Sequence, residues 1–201
     1  LDYDNVKISD QTDSLCGIGV SGPDARKILQ SIAETSLENA DLPFLGCQRI
    51  QFDNRDATLG RISLTGELGY ELYVQPEDVV PLYQTLQSSA QENSLILKPY
   101  GVYALLSLRM EKSYGIWSRE FSPDYTPGMC GLEQFVDFEK SDFVGRDALL
   151  RTAEAEPEYK LVTLEVDTER TEAGGFEPIW SGNALAGYST SGGYGHAVGK
   201  S

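Results

Sequence analysis

A chain of 201 residues is long enough to bury a core of its own and fits one or two domains. Sixteen Lys+Arg against 31 Asp+Glu leave a net charge of −15, which repels phosphate backbones and anionic headgroups and argues against nucleic acid and membrane surfaces as partners. Hydrophobic residues at 40% and charged residues at 23% are the mix of a globular domain, and no apolar run approaches the ~20 residues of a membrane span.

In chain order, alternating residues at 6–9 and 15–20 predict short strands. Gly22-Pro23-Asp24 opens a helix, since proline suits the first helical position, and Ala25, Ile28, Leu29 and Ile32 follow at helical spacing. Residues 46–52 and 59–64 predict two strands around an Asp53-Asn54-Arg55-Asp56 turn. A strand over 70–75 follows Gly66-Glu67-Leu68-Gly69. Pro76-Glu77-Asp78 then starts a helix whose apolar stripe is Val79, Val80, Leu82, Tyr83 and Leu86. A third helix is expected over 100–112, then a loop over 113–138 too rich in aromatics for a linker. A short helix over 145–155 precedes strands at 160–166, 178–180 and 185–190. The first 90 residues predict an α+β, ferredoxin-like antiparallel sheet with helices. The tail from about residue 157 predicts the beginning of a small β-barrel. The chain opens at Leu1 and stops in mid-pattern at Ser201, so both ends are expected to continue in a longer polypeptide.

Cys16, Cys47 and Cys130 are odd in number, and no C-x-x-C pairs them. A disulfide framework and a zinc site are therefore not expected, and a reducing, cytoplasmic setting is. His196 is the single histidine, which makes a His-rich metal site or a Ser-His-Asp triad a poor reading. The Gly-rich tail 191–201 is not a phosphate loop: that motif requires glycine five residues before Gly199, and position 194 is Tyr.

Three segments carry candidate chemistry. In Gly66-Glu67-Leu68-Gly69-Tyr70-Glu71-Leu72-Tyr73, the pleat sets Glu71 on the opposite face from Tyr70 and Leu72. Glu71 either faces water or reaches into a pocket, where a carboxylate can accept two parallel hydrogen bonds from an amidine-like edge. Arg109, in Ser107-Leu-Arg-Met-Glu-Lys112, either makes a surface or intrahelical ion pair or anchors a ligand carboxylate. The aromatics of 114–127 either pack their loop down or wall a ligand site.

These segments resemble the glycine-cleavage T-protein (aminomethyltransferase) family. Gly66-Glu67 through Tyr73 is similar to its Thr-Gly-Glu-x-Gly-aromatic-Glu segment, and Ser107 through Glu111 to its Ser-Leu-Arg-x-Glu helix end. Thr126-Pro127, Gly131-Leu132, Phe143-Val-Gly145-Arg146 and Gly22-Pro23-Asp24-Ala25 follow in register over nearly the whole chain. The run 111–138 looks most like the C-terminal part of the flavin-dependent dimethylglycine and sarcosine dehydrogenases. The resemblance implies a tetrahydrofolate-binding domain, residues 1–156, followed by a truncated barrel, residues 157–201. It implies one-carbon transfer from an amine substrate to folate, with Glu71, Leu72 and Tyr73 at the ring system, Arg109 as a folate or substrate contact, and Gln134 nearby. Leu64 stands where the family has a Tyr in the folate pocket. The missing N-terminal part of the same polypeptide would hold the catalytic aspartate and, in the dehydrogenase reading, an FAD domain, so no residue here takes the catalytic role. A folate-dependent methyltransferase or demethylase and a non-catalytic folate-sensing scaffold are the alternatives. The piece alone is expected to be inactive.

Overall fold

The computed structural model describes residues 7–153, 156–168 and 172–201, in two compact units, Leu1–Gly101 and Val102–Ser201. In the first unit, β1 (Cys16–Ser21), β2 (Cys47–Phe52), β3 (Arg55–Gly60) and β4 (Gly69–Val74) form one antiparallel sheet in the order β1-β4-β3-β2. Helices α1 (Ala25–Gln30) and α2 (Val79–Glu92) complete it, α2 entered through a 3-10 turn at Pro76–Asp78. The mixed α/β character and the antiparallel sheet follow the sequence expectation. The strand order does not: a ferredoxin-like unit seats its first strand between its third and fourth, whereas here β4 lies between β1 and β3 and β1 takes an edge. Element succession is local, but strand pairing is decided by which faces can be buried together.

Alternation makes that choice. Val20 of β1, Ile50 and Phe52 of β2, Ala57 and Leu59 of β3, and Tyr70, Leu72 and Val74 of β4 are all buried, and they share one core with Ile28 and Leu29 of α1 and Leu82 and Leu86 of α2. Each fully buried Leu, Ile or Phe contributes roughly 1.5–3 kcal/mol on removal from water. The β2–β3 turn is tighter than the sequence suggests. Only Asp53 (φ 45°) and Asn54 (φ 61°) turn, both left-handed, as a two-residue hairpin that matches strand twist requires. Strand β3 therefore starts at Arg55 and ends at Gly60, four residues short of its expected end. The hairpin is tied to α2 by Arg55 Nε to Asp78 at 2.9 Å and by the Thr85 hydroxyl donating to Asp53.

In the second unit, α3 (Val102–Met110), the four-residue α4 (Pro127–Cys130), α5 (Arg146–Ala153) and a hairpin of β5 (Pro178–Ser181) with β6 (Ala184–Tyr188) are joined by long irregular segments. Thr126 caps α4, its hydroxyl accepting the Met129 N–H, and Gly131 ends it at φ 70°. Two expected strands do not form. Residues 7–9 are irregular, with Val6 outside the described residues; residues 160–166 form no strand and make isolated bonds, Leu161 N–H to the Met129 carbonyl and Val166 N–H to the Ser201 carbonyl. An alternating segment becomes a strand only beside a partner ladder, and among the described residues none runs along this one. Residues 154 and 155, the expected end of α5, lie outside the described residues. No helix among them is long and apolar enough to cross a membrane.

Candidate functional site

The face of the first unit's sheet turned away from the core can be read row by row from the register. Gly19, Glu71, Gly60 and Cys47 form one row across β1, β4, β3 and β2. Gly17, Tyr73, Thr58 and Arg49 form the next, two residues along. Glu71 is therefore central, half-buried, and flanked on both sides by strand residues without a Cβ.

Two glycines on this face have reasons inside the fold. A Cβ on Gly69 would collide with Ser63, because the loop before β4 folds back over that strand's first residue. A Cβ on Gly17 would press within 3.3 Å of the Tyr73 ring. Gly19 and Gly60 have no such reason: a Cβ there meets nothing within 4 Å, and neither residue takes a left-handed φ. Glycine inside a strand costs about 0.5–1 kcal/mol relative to Ala. In a strand interior such a glycine often marks a bulge, a bend, or a place where a ligand or another backbone approaches closely. The row through Glu71 is thus a shallow trough with bare backbone as its floor, the Ser63 loop on one side and Tyr73 on the other.

Within it, the Tyr73 hydroxyl donates to Glu71 Oε2. That bond, with partial burial and the nearby negative charge of Glu71, pushes the Tyr73 phenol above its ordinary range. Among the described residues Oε1 of Glu71 has no partner, so the carboxylate keeps a free edge towards the trough. The Ser63 loop is shaped by Thr65, whose buried hydroxyl accepts the Glu67 N–H and pairs with Ser63, and by Gly66 at φ 75°. Leu64 is half-buried in this loop. Leu72 is fully buried on the core face, so only its backbone borders the trough; side-chain alternation sends it away from Glu71.

The second unit holds the other two residues singled out in the sequence. Gln134 is exposed in a 3-10 turn, Glu133–Phe135. Arg109 is 2% exposed, and its ion pair is not the surface or intrahelical one expected from the sequence but a buried one to a residue outside the helix: Nη1 donates to Glu120 Oε2 at 3.1 Å and to the Tyr114 carbonyl at 2.9 Å, and Nη2 donates to the Ser191 hydroxyl at 2.6 Å. Both of its terminal nitrogens are spent inside the unit, and Nε is buried without a partner. Glu120, 5% exposed, also accepts the Ile116 N–H and the Thr190 and Ser191 hydroxyls. Burial pushes its carboxyl up, but the bonds from Ser191, Thr190 and Ile116 and the Arg109 charge outweigh it and hold the group below the usual carboxylate range. Sequence reasoning did not single out Glu120. Its only signal is a carboxylate amid aromatics, eleven residues after an arginine on an apolar helix. Gly19, Gly60 and Arg49 were also missed, because their relation to Glu71 exists only once the strands pair.

Residues 1–140 match the family described as GCVT N-terminal domain. The chain is 38% identical to mitochondrial dimethylglycine dehydrogenase of Homo sapiens over 200 residues, 99% of this chain and 23% of that protein. It is 33% identical to an aminomethyltransferase of Alkaliphilus metalliredigens over 192 residues, 94% of this chain and 50% of that one. In fold it matches the crystal structure of glycine cleavage system aminomethyltransferase T from Bartonella henselae with a TM-score of 0.75 at 23% identity, covering 92% of this chain and 49% of that one. The chain thus spans about a quarter of the dehydrogenase and half of the transferases. It belongs to the GCVT N-terminal domain family.

Proposed function

We propose that this chain binds tetrahydrofolate and serves one-carbon transfer from an amine substrate to that folate, as part of a longer aminomethyltransferase or dimethylglycine dehydrogenase-type enzyme. The observation that carries the reading is the free carboxylate edge of Glu71 lying between two strand glycines that nothing in the fold requires. A flat heterocycle can rest on bare backbone at Gly19 and Gly60 only because no Cβ stands there. Its amidine-like edge can then meet Glu71 as a charge-assisted hydrogen-bonding pair. The folate, when bound, supplies the nucleophilic nitrogen that accepts the one-carbon unit.

The chain's own contribution is orientation and dryness. Glu71 fixes the ring's rotation, and Tyr73 holds the Glu71 carboxylate in one rotamer through its hydroxyl. The Ser63–Leu64 loop bounds one side of the trough and limits water on that flank. In the second unit, Arg109 holds the 114–120 loop in shape through Glu120. The amine, the residue that activates it and any FAD belong to the parts of the longer enzyme outside this chain. We further propose that residues 1–156 are the folate-binding part and that 157–201, which contain the β5–β6 hairpin, open the C-terminal barrel, although the compact units of the fold divide at Gly101/Val102. The three free cysteines support a reducing compartment, with the cytoplasm as our reading.

The test is calorimetric titration of tetrahydrofolate into the full-length protein and its Glu71→Gln variant. Replacing one acceptor oxygen by a donor should cost about 2–3 kcal/mol, roughly 30- to 150-fold in affinity. Equal binding by both proteins would remove Glu71 from the site and the reading with it.

A further inference from the structure

We infer that Arg49 is the contact for the anionic end of the ligand whose ring lies at Glu71, which makes it a determinant of specificity for a carboxylate-bearing folate over a bare pterin. The inference rests on the folate reading above and adds to it the second fixed point of the ligand.

Four observations carry it. First, Arg49 shares the outer sheet face with Glu71: Arg49 pairs with Thr58, Thr58 with Tyr73, and Tyr73 lies two residues from Glu71 on the same side of β4. Second, the separation suits a ligand longer than one ring. Two strand spacings across and two residues along put the Cα atoms about 12 Å apart, so a ring gripped at Glu71 must extend a linker towards β2 to reach the guanidinium. The path crosses Gly60, whose bare backbone leaves it open, and passes Thr58. Third, Arg49 is exposed and makes no ion pair or side-chain hydrogen bond among the described residues, in a chain with nearly two acids for every base. The carboxylate nearest to it in register on this face, Asp56, accepts instead from Gln51 Nε2 at 3.2 Å. The charged groups this face presents are thus Glu71, Asp56 and Arg49, and Arg49 alone among them attracts an anion. Fourth, the arginine whose sequence context suggested an anchor, Arg109, has both terminal nitrogens engaged inside the second unit. A planar guanidinium with five donors is the side chain suited to hold a carboxylate in two-point contact.

The test compares two ligands on four full-length proteins. Wild type, Arg49→Ala, Arg49→Lys and Glu71→Gln are titrated with tetrahydrofolate and with 6-methyltetrahydropterin, which has the ring but no carboxylate tail. Arg49→Ala should weaken tetrahydrofolate about tenfold, as expected for a solvent-accessible charged contact, and leave the tetrahydropterin unchanged. Arg49→Lys should recover part of the loss, and the gap between wild type and Arg49→Ala should close in high salt. Glu71→Gln should weaken both ligands. If Arg49→Ala binds both ligands as wild type does, or weakens both by the same factor, the inference about Arg49 is overturned while the Glu71 site stands. If wild type binds neither ligand, the folate reading fails and this inference falls with it. Melting curves of the Arg49 variants should overlay wild type, since the side chain is exposed and unpartnered.

Discussion

Removing either partner of the Arg109–Glu120 pair should unfold the second unit selectively, and the two removals should not cost the same. Both side chains are almost entirely buried, so deleting one leaves a desolvated charge, which typically costs about 3–5 kcal/mol. The contacts set the order. With Arg109→Ala, Glu120 keeps three donors, the Ile116 N–H and the Thr190 and Ser191 hydroxyls. That variant belongs near the lower end, about 3 kcal/mol. With Glu120→Ala, the guanidinium keeps only the Tyr114 carbonyl and the Ser191 hydroxyl, its Nε is already unpartnered, and three donors lose their acceptor together. That variant belongs near the upper end, about 5 kcal/mol. The assay is equilibrium denaturation followed by tryptophan fluorescence. Trp117 and Trp180 are the only two tryptophans and both lie in the second unit, Trp117 edge-on to Phe121 at 6.0 Å. The pH dependence checks the same pair. Because the folded carboxyl of Glu120 lies below its ordinary range, its stabilisation is complete above the unfolded Glu range and is lost as pH falls through the lower folded value. Glu120→Gln should flatten that acid limb. Arg109→Ala costing under ~1 kcal/mol, or costing more than Glu120→Ala, would refute this account of the pair.

Gly60→Val should fold as well as wild type or better by about 0.5–1 kcal/mol, since a Cβ there meets open space and valine suits a strand. It should nonetheless abolish tetrahydrofolate binding; retained affinity would show that nothing approaches that backbone. At the β2–β3 turn, Asn54→Val should cost about 1–2 kcal/mol at φ 61° and Asn54→Gly should not, as read by circular dichroism in a urea titration. Tyr125, whose phenol is pushed up to about 12 by its hydrogen bond with the Tyr188 hydroxyl, should ionise nearer 10 in Tyr188→Phe, as followed by ultraviolet titration.

The elements of the first unit were legible because their signals are local. Gly22-Pro23-Asp24 announced α1, Pro76 announced the turn into α2, and alternation located β1, β2 and β4 within a residue or two. The errors sit where a local signal had more than one outcome. Asp53-Asn54-Arg55-Asp56 is turn-rich in composition, but two left-handed residues suffice, and Arg55 and Asp56 went to the strand. Residues 160–166 alternate like a strand, but among the described residues no ladder runs beside them. The second unit was harder for a different reason. The buried apolar side chains among the described residues run from Val20 to Ala90, all in the first unit, and the most buried side chains of the second are Arg109 and Glu120. Local signals placed α3, α5, β5 and β6 within about two residues of their observed ends, but they could not reveal the buried polar contact between Arg109 and Glu120.

The candidate site was half legible, and the line between the halves is the line between alternation and pairing. Counting along β4 was enough to put Glu71 opposite Tyr70 and Leu72, and to set Tyr73 beside it. What lies beside Glu71 across the sheet comes from residues 11 and 52 positions away in sequence, Gly60 and Gly19, and no count along one strand can find them. One local clue existed: Gly17 and Gly19 alternate with Ile18 and Val20, which makes β1 a strand with one apolar face and one bare face. A bare face is destabilising for the strand alone, so it has to be explained by what lies over it. At Gly17 the explanation is Tyr73; at Gly19, as at Gly60, the fold supplies none. At the two glycines beside Glu71, as at Gly187 of β6, packing among the described residues gives no reason for the missing Cβ, and beside Glu71 the proposed folate would supply one.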